Sequence, residues 1–297
     1  VRRPRHDRLS SRVMYVVMSG NGHVGSATAQ ELLDRGEPVT VVVRDTAAAR
    51  ALRDRGAAVI VADAGDEDAL RAAFRAGDRA LLVNPPAPVS SDTDAVEHRT
   101  ADAILGALDG SGLDKVVAVS TYGVQPGERI GDLGTLWRLE HGLREQDIPA
   151  AINRHAYAMT NWDGLVGAVR ADGMLPSSLP VDLRVPMVDP ADLGAAAADR
   201  LQSGLDDVGV QYVEGPERYT PGDVAAALAD LLGRPVRVGS MPLDDLETAF
   251  AGMGFSDVAA VSYAEMTRRT AAGPELPEDV RRGRTTLREH FAALLGR

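Results

Sequence analysis

Residues 13–44 constrain the fold more than any other stretch of this chain. A short apolar run, Val13-Met14-Tyr15-Val16-Val17-Met18, meets the turn Ser19-Gly20-Asn21-Gly22-His23-Val24-Gly25. A helical stretch with Val24, Ala27, Leu32 and Leu33 on its apolar side follows, and Val39-Thr40-Val41-Val42-Val43-Arg44 closes the unit. Apolar runs without polar alternation mark strands covered on both faces of a parallel sheet. Gly36 can end the intervening helix in the left-handed conformation. In such a strand-turn-helix the first glycines let the backbone turn sharply and approach a pyrophosphate. The free N–H groups and positive dipole end of the helix then favour the phosphate charge. Gly25 lets the helix pack close to the strand.

Arg44 ends the second strand, where a dinucleotide fold meets the adenosine ribose. An acidic residue there accepts hydrogen bonds from a free 2'-hydroxyl, whereas a guanidinium suits a 2'-phosphate through charge-assisted bidentate contacts. Arg44 therefore points to NADP(H) as the preferred cofactor, with NAD(H) as the alternative. Asp45 beside it works against that preference, and a solvated strand-end charge is the competing reading.

The strand-helix alternation continues. Helices are expected at 47–55, 66–75, 94–108 and 136–146, and strands at 59–62, 80–83, 115–120 and 150–153. That rhythm predicts an α/β fold with a doubly wound parallel sheet, its strands joined by right-handed crossovers. Residues 155–186 break the rhythm with Pro176, Pro180 and Pro186 and show no clear strand, as a substrate-side insertion would. A helix at 191–201 and a strand at 210–213 look like a return to the sheet. Thr220 then N-caps a helix with Pro221 at its first position, running to Leu232 before Gly233, and two or three further helices fill 243–295. The expected division is a dinucleotide-binding domain over 13–154, completed by about 188–214, and a smaller, mainly helical substrate lobe from 155–187 and 215–297. Residues 1–12 read as a flexible basic tail, and Met14 makes them a candidate upstream extension.

The chain has 297 residues, a formal net charge of −11 and no cysteine. The acidic balance argues against nucleic-acid binding, which needs clustered Lys and Arg. Absence of cysteine excludes disulfides, thiolate metal sites and a cysteine nucleophile, and fits a reducing cytoplasm. No apolar stretch is long enough to span a bilayer. The six histidines show no metal-ligand spacing, and Ser120 lacks the glycine frame of a nucleophile elbow.

Taken in order along the chain, these segments resemble the NmrA-like branch of the atypical short-chain dehydrogenase/reductase superfamily, with its NAD(P)-binding Rossmann fold. The turn is similar to that branch's Gly-x-x-Gly-x-x-Gly loop with Ser19 in the first glycine's place; Gly20-x-Gly22-x-x-Gly25 is the other register. Further matches are Val42-Val43-Arg44-Asp45, Val61-Ala62-Asp63-Ala64, Val83-Asn84-Pro85-Pro86, Val119-Ser120-Thr121-Tyr122-Gly123 and Leu231-Leu232-Gly233-Arg234-Pro235-Val236. The resemblance implies that Asp63 and Ala64 border an adenine, Asn84 and Pro85 the ribose and nicotinamide side, and Ser120, Thr121 and Tyr122 the reacting face.

Typical short-chain dehydrogenases place a Lys four residues after a proton-donating Tyr. Here the only lysine is Lys115, and no tyrosine precedes it by four. Tyr122 is one substitute acid, with packing against the cofactor ring as the competing reading. His155, at the end of a strand where ligands gather in open sheets, is the other, against a structural hydrogen-bonding role. His155, Tyr157, Asn161 and Trp162 are expected substrate contacts, although Trp162 equally suits packing of the lobe. The leading expectation is an NADP(H)-dependent oxidoreductase acting on a quinone, azo or other conjugated small molecule. The alternatives are a catalytically silent NAD(P) sensor with a regulatory protein partner, and a biosynthetic reductase or isomerase with bound NAD(P). A homodimer is compatible with each.

Overall fold

In the computed structural model residues 12–273 and 276–296 are described; the expected tail lies outside them apart from Arg12. The chain runs β1 (Tyr15–Val17), α1 (His23–Asp34), β2 (Val39–Val43), α2 (Arg50–Asp54), β3 (Ala58–Val61), α3 (Glu67–Phe74), β4 (Arg79–Leu82), α4 (Thr93–Leu108), β5 (Lys115–Thr121), α5 (Asp132–Arg144) and β6 (Ala150–His155). It continues with β7 (Tyr157–Ala158), α6 (Val166–Asp172), β8 (Met174–Ser177), β9 (Val185–Val188), α7 (Pro190–Gln202), β10 (Gly209–Glu214), β11 (Arg218–Tyr219) and α8 (Pro221–Leu232). Last come β12 (Arg237–Ser240), α9 (Leu246–Gly252), α10 (Asp257–Ala271), β13 (Arg281–Arg282) and α11 (Leu287–Leu294).

Eight strands form one sheet in the order β13-β10-β6-β5-β4-β1-β2-β3. All seven neighbouring pairs are parallel, as the apolar strand runs and intervening helices require. Alternate side chains serve two cores. On one face Val16, Val42, Leu82, Val116, Ala118 and Ile152 pack with Phe74, Ile104 and Leu139 of α3, α4 and α5. On the other, Tyr15, Val17, Val41, Leu81 and Val117 pack with Leu32 of α1 and Ala197 and Leu201 of α7. Gly194 allows α7 to lie against α1, because a Cβ there would stand 2.6 Å from the Ala27 carbonyl carbon. The Asp66, Asp92 and Thr220 caps form as their sequences direct, each accepting from a backbone N–H of the first turn.

The stretch 155–186 differs from its reading as strandless. β7, β9 and β11 make a small sheet, and β8 pairs with β12. Their two to four residues are too short to show alternation. Pro176 and Pro186 sit where the strand has one neighbour at that position, so the missing N–H costs no ladder bond. The C-terminal part likewise is less helical than expected, since β13 adds an edge strand to the main sheet. A third core, with Met159, Trp162, Leu175, Met187, Leu228 and Phe291, joins α6, α8 and α11 to these strands. Among the described residues no helix is long and apolar enough to cross a membrane.

Candidate cofactor and substrate cleft

At the carboxyl ends of β1, β2, β4, β5 and β6 lies a cleft of about 400 Å³. Its walls include Ser19, Asn21, Gly22, His23, Val24, Gly25, Arg44, Ala64, Asn84, Pro85 and His155. The sequence had singled out each of these. The turn after β1 is built tightly. Ser19 adopts φ 53°, a left-handed conformation that explains why a glycine suits this position. Gly22 N–H donates to Ser19 O at 2.8 Å, and α1 then starts with its N–H groups toward the cleft. A Cβ on Gly25 would lie 2.2 Å from Ser19 O and 2.4 Å from Met18 O, and one on Gly20 would lie 2.7 Å from Val41 Cβ. Both registers of the glycine pattern are therefore used, for different reasons.

Arg44 is exposed, and among the described residues nothing pairs with its guanidinium. Asp45 beside it caps the following turn, its Oδ1 accepting from Ala47 N–H at 2.9 Å. Asn84 donates through Nδ2 to Glu97 O, whereas its buried Oδ1 has no partner among the described residues. A buried acceptor left open at a cleft wall is a place for a ligand donor.

Seven other expected residues lie away from this cleft. Asp63 is exposed and holds its own turn, accepting from Gly65 N–H at 2.8 Å; Ala64, not Asp63, lines the cleft. Ser120 faces the α5 side, its hydroxyl donating to Glu140 at 2.6 Å in a buried group closed by Arg154. On β5 it is Val119 that meets the cleft, because successive side chains alternate between faces, and Thr121 does not line it. Tyr122 turns to the α7 side, where it packs with Ala156, Leu193 and Val213 and stacks edge-on with Tyr212. Its hydroxyl donates to Glu214 at 3.0 Å, and burial beside that carboxylate raises its pKa strongly. A phenol so held is a poor acid for the cleft. Trp162 is 3 % exposed in the third core and touches Tyr157, whose phenol bonds with Asn161; none of these three lines the cleft.

His155 does line it. Its Nδ1 is 2.8 Å from Ala156 O, a carbonyl that can only accept, so Nδ1 carries the hydrogen and Nε2 is left with its lone pair. Burial lowers its pKa, which keeps the ring neutral. Lys115 is remote from this chemistry: its buried Nζ donates to Ser203 and Gly204 O, both 2.8 Å away, at the opposite end of the sheet.

Two cleft residues escaped the sequence reading. Glu97, on the first turns of α4, is 3 % exposed, and Asp132 opens α5, four residues before the expected helix start. Both side chains line the same cleft, near enough for each charge to act on the other's titration. Glu97 accepts from Ala87 N–H at 2.9 Å and meets Thr135 Oγ1 at 3.3 Å. Burial first, then the charge of Asp132, pushes the Glu97 pKa up to about 8, and burial raises that of Asp132. The signal available in sequence was slight: a Glu facing inward on a helix whose other buried positions are mostly small or apolar.

The NAD(P)H-binding family matches residues 20–154, from the glycine turn to the residue before His155. Residues 20–154 are an NAD(P)H-binding domain. Around this domain the whole chain has a Rossmann-type fold. It is 27 % identical over 253 residues to the NAD(P)H azoreductase of Xenophilus azovorans, covering 85 % of this chain and 86 % of that one. It is 29 % identical over 262 residues, 88 % of each chain, to the (4-alkanoyl-5-oxo-2,5-dihydrofuran-3-yl)methyl phosphate reductase of Streptomyces griseus. The fold superimposes on NADPH-dependent quinone oxidoreductase 2 of Escherichia coli, complexed with NADPH, with a TM-score of 0.76 at 21 % identity, covering 95 % of this chain and 99 % of that one. The NAD(P)H-binding domain fits the group its family name requires: a glycine cradle that a Cβ would fill, an open buried acceptor on Asn84 and an unpaired Arg44 share one cleft.

Proposed function

We propose that this protein is an NADPH-dependent oxidoreductase that reduces a quinone, azo or other conjugated small molecule. The observation that carries it is the cleft itself, in which the glycine turn and Arg44 lie together with His155, Glu97 and Asp132. The α1 N-terminus and the Ser19–Gly25 turn would hold the pyrophosphate, Arg44 the 2'-phosphate, Ala64 the adenine edge, and Asn84 and Pro85 the ribose and nicotinamide side. Arg44 favours NADPH over NADH, since its exposed guanidinium suits a 2'-phosphate. The bound cofactor supplies two electrons and one hydrogen to the acceptor. Such a transfer needs no Tyr/Lys pair when the acceptor is already conjugated and electron-poor, which is the class named for the azoreductase and the quinone oxidoreductase.

The part outside the nucleotide-binding strands supplies the acceptor's side. α10 brings Tyr263 to the acid pair, which raises that phenol's pKa after burial, and Met266 Sδ would lie 3.1 Å from a Cβ on Gly131 at the start of α5. α10, within the C-terminal part, is accordingly assigned the role of enclosing the acceptor.

Fluorescence titration with NADPH, followed by NADPH oxidation across quinones and azo dyes, tests the reading. Binding with turnover of at least one conjugated acceptor is expected. Tight binding with no turnover on any of them would favour the sensor, and no binding would overturn both.

A further inference from the structure

Reduction of a conjugated acceptor by two electrons and one hydrogen leaves an anion, and a proton must reach it to complete the product. With Tyr122 committed to Glu214 and Lys115 at the far end of the sheet, neither usual residue type is placed to give one. The cleft wall holds another source. Thr135 Oγ1 lies 3.0 Å from Gly131 O and 3.3 Å from Glu97 Oε2, and it has one hydrogen. That single hydrogen cannot serve both acceptors fully, so Glu97 Oε2 is only weakly satisfied by it. Asp132 lines the same wall and Glu97 is 3 % exposed, so two carboxylates ionised together there would face each other with little water between them.

We propose that the Glu97–Asp132 pair, holding one proton between two carboxyls in the wall of the cleft, is the acid that protonates the reduced acceptor. This rests on the reductase reading above. In the step the carboxyl O–H bond breaks, a new O–H or N–H bond forms on the anionic acceptor, and the pair is left with two negative charges. The electrons come from NADPH, and the proton is replaced by water entering the cleft. The doubly ionised pair is unfavourable beside Asp94, so it regains its proton readily. The groups facing the pair are Asp94 on α4, Thr135 on α5, His155 on β6 and Tyr263 on α10. His155 is neutral there and Tyr263 protonated, so neither holds the pair fully ionised at neutral pH. Burial and mutual repulsion together keep the proton in place through neutrality, with Glu97 titrating at about 8.

Infrared spectra of the protein without cofactor, recorded across pH, read the proton directly. A carboxylic-acid carbonyl band should persist at neutral pH, fade as pH rises past about 8, change its pH midpoint in Glu97→Gln or Asp132→Asn, and be absent from the double variant. In turnover, either variant should lower kcat by about 10²-fold or more while leaving NADPH binding within a few-fold, and the double variant should be little worse than either one. The loss should grow along a series of acceptors whose reduced anions are more basic. Absence of the band from the wild-type protein at neutral pH would overturn the proposal whether or not any acceptor is reduced. So would full turnover in both variants with the wild-type pH profile. A wild-type protein that binds NADPH and reduces nothing overturns the reductase reading instead, and the band still decides whether the pair holds its proton. Should Glu97→Gln fail to fold, Asp132→Asn carries the same readouts.

Discussion

At the scale of single residues, the cleft depends on atoms that must be absent as much as on those present. Gly25 is the sharpest case, since a Cβ would overlap both Met18 O and Ser19 O, which are backbone and cannot swing away. Gly25→Ala is therefore expected to destabilise the fold by about 1–3 kcal/mol in urea unfolding and to abolish NADPH binding, because α1 must lift off the strand. Arg44→Ala should weaken NADPH relative to NADH by about tenfold or more, as loss of charged hydrogen bonds of about 1.5–3 kcal/mol requires. Equal losses for both cofactors in a fluorescence titration would contradict a phosphate contact. Tyr122→Phe separates the two roles considered for that residue. Its Glu214 partner keeps Arg218 at 2.9 Å, so the variant should lose about 0.5–1.5 kcal/mol of stability and retain wild-type turnover.

Pairs of elements set the position of the phosphate turn. α1 carries that turn, and α7 presses on α1 through the notch that Gly194 leaves beside Ala27 and Thr28. Gly194→Leu should separate the helices, lowering the midpoint of thermal unfolding and weakening NADPH binding together, although residue 194 does not line the cleft. The other end of the lobe is held by His290 of α11, whose ring nitrogens lie 2.7 Å from Asp189, the N-cap of α7, and 2.8 Å from Asp163. The two carboxylates outweigh burial and raise the pKa of His290. That contact stabilises the fold fully below the ordinary histidine pKa of 6.5 and loses its contribution as pH rises through the folded value.

For the whole molecule Glu97, Asp132 and His290 titrate in one direction, and His155, whose pKa is lowered, opposes them only below the ordinary histidine value of 6.5. Glu97 ionises at 4.5 in the unfolded chain and at about 8 in the folded protein, so between those values the native state holds a proton that the unfolded state has released. Stability must then fall as pH rises through that window, and the raised pKa values of Asp132 and His290 add to the decline. Thermal unfolding followed from pH 6.5 to pH 8 should show this slope, reduced in Glu97→Gln; a midpoint that climbs with pH over that range would contradict it.

Much of this protein was decided locally. Apolar runs of four to six residues cannot be exposed, glycine turns between them and helices leave few backbone paths, and parallel strands need crossovers. The sheet, the glycine cradle, Arg44 and the cleft position of His155 were legible for that reason. Side-chain direction was not local. One residue of alternation on β5 sends Ser120 to Glu140 and Val119 to the cleft, and Tyr122 meets its partner Glu214 across 92 positions of sequence. The short strands β7, β8 and β9 exist because distant strands pair with them. Glu97 and Asp132 are 35 positions apart and ordinary by themselves, on two helices that pack on the same face of the sheet. Only the packing of α4 on α5 takes their carboxyls out of water and sets them against each other, and that desolvation turns two common acids into a candidate proton store.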